Sequence, residues 1–261
     1  MSWSLIDTHA HLYSKEFVED FDEIVTRAKA NKIQKILLPN IDEQSIERMH
    51  SLVDNDPEFF VPMIGIHPCY VTEAWEDQIR LVEQHLSSGR NYCAVGEIGI
   101  DLYWDKTLFE QQKNAFRAQI KLAIKHKLPI VIHARDSFDE IFSILDEENC
   151  DELTGVFHCF TGTVEQAEKV IAYGGFKMGV GGVLTFKNAG LDKVVATISL
   201  EHLILETDCP YLPPVPFRGK RNESSYLSYI SEKLAEVKSC SIEEIAAVTS
   251  KNAISLFNLK V

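Results

Sequence analysis

Pro129-Ile130-Val131-Ile132-His133-Ala134-Arg135-Asp136 decides the fold. Three β-branched apolar residues in succession suit a strand buried on both faces, and polar groups follow it at once. Strands of that kind belong to parallel sheets covered by helices. Seven further runs appear on either side: Leu5-Ile6, Ile36-Leu37-Leu38, Val61-Pro62-Met63-Ile64, Cys93-Ala94-Val95-Gly96, Gly155-Val156-Phe157, Phe176-Lys177-Met178 and Leu203-Ile204-Leu205. They recur every 22 to 35 residues or so, roughly the length of one strand–helix unit. Eight such units predict an α/β fold of the (β/α)8 TIM-barrel type, with residues 1–261 as one domain.

The intervening segments carry helix starts. Thr107-x-x-Glu110, Ser137-x-x-Glu140, Thr163-x-x-Gln166 and Ser241-x-x-Glu244 have the capping-box form. The helix after Thr107 is expected to bury Phe109, Phe116, Ile120 and Ala123, and the last helix Ile245, Val248 and Phe257 against the outer ring. Residues 210–216 hold four prolines and read as a rigid loop after the eighth strand.

The composition is that of a globular protein, 45% hydrophobic and 25% charged, with a formal net charge of −13. So acidic a chain argues against broad, non-specific coating of nucleic acid, which needs a basic face. No apolar run is long enough to span a membrane, and no secretory signal is visible at the N-terminus. The six cysteines form no C-x-x-C pair, so they suit packing in a reducing, cytoplasmic setting.

In a barrel of this type, chemistry lies at the C-terminal ends of the strands. Five of the nine histidines fall there: His9, His11, His67, His133 and His158. Such positions make up about an eighth of a barrel chain, so chance would place roughly one. His9 and His11, two apart on extended backbone, point the same way. Alone, an H-x-H pair serves equally well in a cap or loop. With His133, His158 and Asp208 at other strand ends, it reads as a metal centre, since imidazole and carboxylate are ligands for zinc, manganese or iron. Glu97, after the fourth strand, lies between the two histidine pairs and is placed to bridge two ions. The alternative is a structural ion pair with Arg135. Cys159 and Cys209 adjoin candidate ligands but are excluded as ligands; beside a His158 on extended backbone, Cys159 is expected to turn the other way, into the packing.

In this order, the motifs resemble the TatD-related DNase family of amidohydrolase-type metal-dependent hydrolases. They are Asp7-Thr8-His9-Ala10-His11, Gly65-Ile66-His67-Pro68, Gly96-Glu97-Ile98-Gly99-Ile100-Asp101, Ile132-His133-Ala134-Arg135-Asp136, His158-Cys159-Phe160-Thr161-Gly162, Glu206-Thr207-Asp208-Cys209-Pro210-Tyr211 and Gly219-Lys220-Arg221-Asn222-Glu223. The resemblance implies two divalent ions (Zn, Mn, Mg or Fe) on His9, His11, Glu97, His133, His158 and Asp208. It also implies hydrolysis of a nucleic-acid phosphodiester by an activated water, with Asp208 accepting its proton. The family commonly has proline where Ser224 stands, which alters the stiffness of a loop expected over the site.

Substrate contacts follow from charge and chemistry. Arg135 either clamps a phosphate or pairs with Asp136 or Glu97. Arg218, Lys220 and Arg221 either bind flanking phosphates or form a solvated loop. His67 is a candidate substrate contact or supporting donor. Tyr70, Tyr103 and Trp104 either stack on bases or pack within their loops. Asp7, Glu97 and Asp208 contribute to the net charge of −13 but are expected beside the ions, so the site itself can be cationic. The expected partner is a DNA end or single strand, with no membrane and no obligate protein partner. The chief alternative is an amidohydrolase or deacylase of a small molecule or of D-aminoacyl-tRNA; a non-catalytic binding barrel is a third.

Overall fold

The computed structural model describes residues 3–260. Eight parallel strands alternate with helices, as the spacing predicts. They are β1 (Leu5–Asp7), β2 (Ile33–Leu38), β3 (Phe60–Pro62), β4 (Val95–Asp101), β5 (Ile130–Arg135), β6 (Gly155–Phe157), β7 (Phe176–Val180) and β8 (Leu203–Leu205). β1 to β3 form one ladder and β4 to β8 another. Backbone hydrogen bonds close both seams. Between β3 and β4, the Ile64 amide donates to Ala94 and the Gly96 amide to Ile64. Between β8 and β1, the Thr8 amide donates to Leu205, Asp208 to His9 and His11 to Cys209. The result is a closed TIM barrel, which leaves no sheet edge.

Alternation along each strand divides the core in two. Ile6, Leu37, Met63, Val131, Val156 and Ile204 fill the barrel's interior. Their neighbours Leu5, Ile36, Leu38, Ile130, Ile132 and Leu205 pack outward beneath the helices. This is the period-two pattern of a barrel strand, and it sets the site. His133 lies two residues beyond Val131, and His158 two beyond Val156, so both continue the inward face at the C-terminal mouth.

The helices are α1 (Phe21–Ala30), α2 (Ile46–Asn55), α3 (Trp75–Leu86), α4 (Phe109–His126), α5 (Phe138–Glu148), α6 (Val164–Ala172), α7 (Leu191–Thr197), α8 (Leu227–Lys238) and α9 (Ile242–Phe257). α4 buries Phe116, Ile120 and Ala123 as expected, and also Gln112 and Gln119. Their amides are satisfied: Gln119 accepts from the Ile66 amide and donates to the Ile66 carbonyl, and Gln112 accepts from the Asp101 amide. α9 departs from the expected outer-ring role. Ile245 and Ala246 join the outer layer, but Ala253 and Phe257 belong to the interior cluster and plug the barrel floor. None of the described helices is long and apolar enough to cross a membrane.

Of the four capping boxes, Thr163–Gln166 is complete, and Ser241 accepts from the Glu244 amide without the reciprocal bond. The other two hydroxyls do not cap. Ser137 donates instead to the Ile100 carbonyl and accepts from the Arg135 amide, stitching β4 to β5. α4 begins after Leu108, and Asp105 accepts from the Thr107 amide one turn earlier. The long loop after β8 is pinned by Asn222, whose side-chain amide donates to the Thr207 and Tyr211 carbonyls.

Candidate metal centre

At the C-terminal mouth, His11, His133, His158, Glu97 and Asp208 line a cavity of about 840 Å³, with His9 fully buried beside them. Glu97 stands at the centre. The β4–β5 ladder slips between Val95 and Ile98, both of which pack in the outer layer. Such irregularities re-aim side chains next to sites, and here the slip turns Glu97 inward. Gly99, at φ +142°, lies so close to β5 that a Cβ would overlap the His133 carbonyl.

Around Glu97 Oε2, His9 Nε2 lies at 3.2 Å and His11 Nε2 at 3.7 Å. The two imidazole nitrogens are 3.3 Å apart, and Asp208 Oδ1 is 3.8 Å from His9 and 3.4 Å from His11. Ligands about 2.0–2.1 Å from a tetrahedral ion stand roughly 3.3–3.4 Å from one another. These separations therefore fit one divalent cation. Around Glu97 Oε1, His133 Nδ1 and His158 Nε2 each lie at 2.9 Å, with 3.4 Å between the two nitrogens. The carboxylate thus faces each histidine pair with a different oxygen.

The tautomers suit the same purpose. Tyr13 donates its hydroxyl proton to the Pro39 carbonyl at 2.6 Å, so its oxygen accepts from His11 Nδ1 at 2.8 Å and leaves the Nε2 lone pair free. Asp101 faces His133 Nε2 at 2.9 Å; Glu206 stands 3.5 Å from His158 Nδ1, an ion-pair separation, and that nitrogen has no hydrogen-bond partner among the described residues. Carboxylate or hydroxyl partners of this kind orient metal-ligating histidines. His67 differs. Its Nδ1 accepts from the Cys69 amide, so the proton of a neutral ring is on Nε2, 3.4 Å from Glu97 Oε1. In that tautomer it donates and cannot ligate.

Burial opposes ionisation of Glu97, but His158, His67 and His9 outweigh it and hold the carboxyl well below its ordinary range. Burial likewise pushes His158 toward neutrality, and Glu97 and Glu206 reverse this, raising it well above an ordinary imidazole. His9 is lowered by burial and by His158. Burial opposes ionisation of Asp208, but the neighbouring His11, His158 and His9 outweigh it and hold the carboxyl below its usual value.

Several expectations are corrected. Asp7 does not face the centre. It accepts from the Thr207 amide and hydroxyl, clamping β1 to β8, and burial raises its carboxyl to about 7. Cys159 lines the cavity rather than the packing, because its backbone turns left-handed at φ 44° and breaks the strand alternation. Arg135 lines the cavity and lies over Tyr103 at 3.8 Å and Trp104 at 5.4 Å; among the described residues it forms no ion pair with Asp136 or Glu97. The basic loop does not reach the cavity. Arg221 is held bidentately by Asp20 at 2.6–2.8 Å, Arg218 lies over Phe186, and Lys220 points to solvent. Tyr70, Trp104 and Tyr211 are exposed around the mouth.

Tyr13, Asp101 and Glu206 escaped the sequence reading. The two carboxylates did sit in strand-end strings, but nothing in the spacing told an orienting carboxylate from a ligand. Glu206 needs room that β7 provides: a Cβ on Gly179 would overlap Glu206 Oε2 and lie 2.6 Å from its Cδ.

The sequence profile of the TatD related DNase family matches residues 6–258. A Bacillus subtilis protein, YabD, described as an uncharacterized metal-dependent hydrolase, is 41% identical over 98% of this chain and 99% of its own. The crystal structure of YjjV, a TatD homolog from Escherichia coli, superposes with a TM-score of 0.92 at 31% identity over 98% of both chains. A TatD family hydrolase from Entamoeba histolytica shares the fold, with a TM-score of 0.83 at 24% identity over 98% of this chain and 99% of its own.

Proposed function

Since this chain belongs to the TatD related DNase family and is a metal-dependent hydrolase, we propose that the bond it cleaves is a phosphodiester at a DNA end or in a single strand. The supporting observation is Arg135. Apart from the histidines, it is the one cationic side chain lining the cavity among the described residues, and it lies over Tyr103 at the rim. A guanidinium beside a cluster of metal-ligand type suits a phosphate, and exposed aromatic rings suit unstacked bases. With Arg218, Lys220 and Arg221 directed elsewhere, contact outside the cavity is small. A cavity of this size takes a ligand of about one or two nucleotides rather than a duplex.

On this reading, His9, His11, Glu97 and Asp208 hold one divalent ion, and Glu97, His133 and His158 a second. Bound there, the ions supply Lewis acidity toward a phosphoryl oxygen and a nucleophilic water at neutral pH. Asp208 would accept a proton from the attacking water. His67 donates from Nε2 to an oxygen that gains charge as the bond breaks. Arg135 holds the adjoining phosphate by its fork of donors. The six free thiols accord with a cytoplasmic enzyme.

The test is hydrolysis by purified protein with Mg, Mn or Zn. Labelled single-stranded DNA, duplex DNA, aminoacyl-tRNA and a model amide are assayed side by side. Stepwise shortening of the single strand is expected. Cleavage of the amide or the aminoacyl-tRNA, with labelled DNA left at full length, would overturn the reading.

A further inference from the structure

We propose that Asp101 is a positioning residue that ties one half of the metal centre to the Tyr103–Trp104 loop, so that filling that half and ordering the loop are coupled.

Asp101 ends β4 and is 1% exposed. Its two oxygens serve different structures. Oδ2 faces His133 Nε2 at 2.9 Å, and Oδ1 accepts from the backbone amides of Tyr103 and Trp104 at 2.9 and 3.1 Å. Glu97 Oε1 stands equally close to Nδ1 and neither carboxylate can donate, so with a cation on the Glu97 side His133 would keep its proton at Nε2 toward Asp101 and give the Nδ1 lone pair to the ion. The Gln112 side chain fixes the Asp101 amide from the covering helix. Arg135, two residues after His133 on the same strand, lies over the Tyr103 ring. One carboxylate thus shares its position between an imidazole at the metal centre and the loop that carries the rim aromatics. Movement of His133 toward an ion moves the acceptor on which the loop amides depend.

The inference rests on the two-ion reading, and its test does not depend on turnover. In a Trp3→Phe/Trp75→Phe background, Trp104 is the one tryptophan left. Chelator-treated protein is titrated with Zn2+, following heat and Trp104 emission together. Two ions are expected, with emission changing as the weaker site fills. Asp101→Asn keeps the shape, but its amide nitrogen can donate to His133 and favour the wrong tautomer. One site should then weaken about 10- to 100-fold and its filling should leave Trp104 silent, with the other site unchanged. Two ions bound by the Asp101→Asn protein with the parent's affinities and the parent's emission change would overturn the coupling alone. A single ion in the parent would overturn the two-ion reading as well. If Asp101→Asn loses its circular-dichroism signal, hydrogen exchange of the unsubstituted protein decides: the Tyr103 and Trp104 amides must slow as the second ion binds, and unchanged exchange overturns the proposal.

Discussion

Gly179→Ala isolates the packing that supports His158. The new methyl would stand 2.6 Å from Glu206 Cδ, where ordinary contact needs about 3.5 Å, so the carboxylate must retreat by about 1 Å. Glu206 is buried, and its Oε1 accepts from the Cys159 amide and faces His158 Nδ1. Overpacking costs about 1–3 kcal/mol, and a stranded buried amide about another 1–3 kcal/mol. A total of roughly 2–4 kcal/mol is expected, because partial retreat relieves each at the expense of the other. Urea unfolding of metal-free protein reads this as a lower midpoint with an unchanged slope. Metal affinity should fall about 10- to 100-fold through the loss of orientation at His158. Shortening the facing side chain should restore room, so Gly179→Ala/Glu206→Asp should be more stable than the sum of its single changes. Strict additivity, or a Gly179→Ala protein with the parent's midpoint and metal affinity, would refute the packing account.

Three further outcomes follow from the site. Arg135→Lys should raise KM for single-stranded DNA about tenfold with kcat little changed, because lysine loses the planar fork and the stacking on Tyr103; an equal loss in kcat would place Arg135 on the reacting phosphate instead. Arg221→Ala should leave DNA affinity and its salt dependence unchanged, with about 1 kcal/mol or less of stability lost with the Asp20 pair; a flatter salt dependence would return the basic loop to the substrate path. Although burial lowers it, Glu97 and Glu206 raise His158 well above an ordinary imidazole, so a cation bound there must displace a proton. Metal affinity should therefore weaken as pH falls and strengthen as pH rises toward the raised value, with proton release visible as a buffer-dependent heat of binding; a pH-independent affinity would contradict it.

The (β/α)8 fold was legible because each buried strand leaves a run such as Ile130-Val131-Ile132, and strand alternation places the histidine two residues beyond Val131 inside the mouth. His9, His11, Glu97, His133, His158 and Asp208 come together as the strand-end pattern suggests. Sequence also located Arg135 at the rim, but not its stacking on Tyr103. It misplaced Arg221, since nothing local distinguishes a free guanidinium from one captured by Asp20, 201 positions away. It left Asp101 and Glu206 without roles and sent Cys159 into the packing. Those outcomes depend on a slipped ladder, a left-handed turn and hydrogen bonds between strands distant in the chain. Periodicity is a local property of the chain and settles which face a residue occupies. Which of two carboxylate oxygens meets which imidazole, and which charges are already paired, is fixed only when the closed barrel brings its ends together.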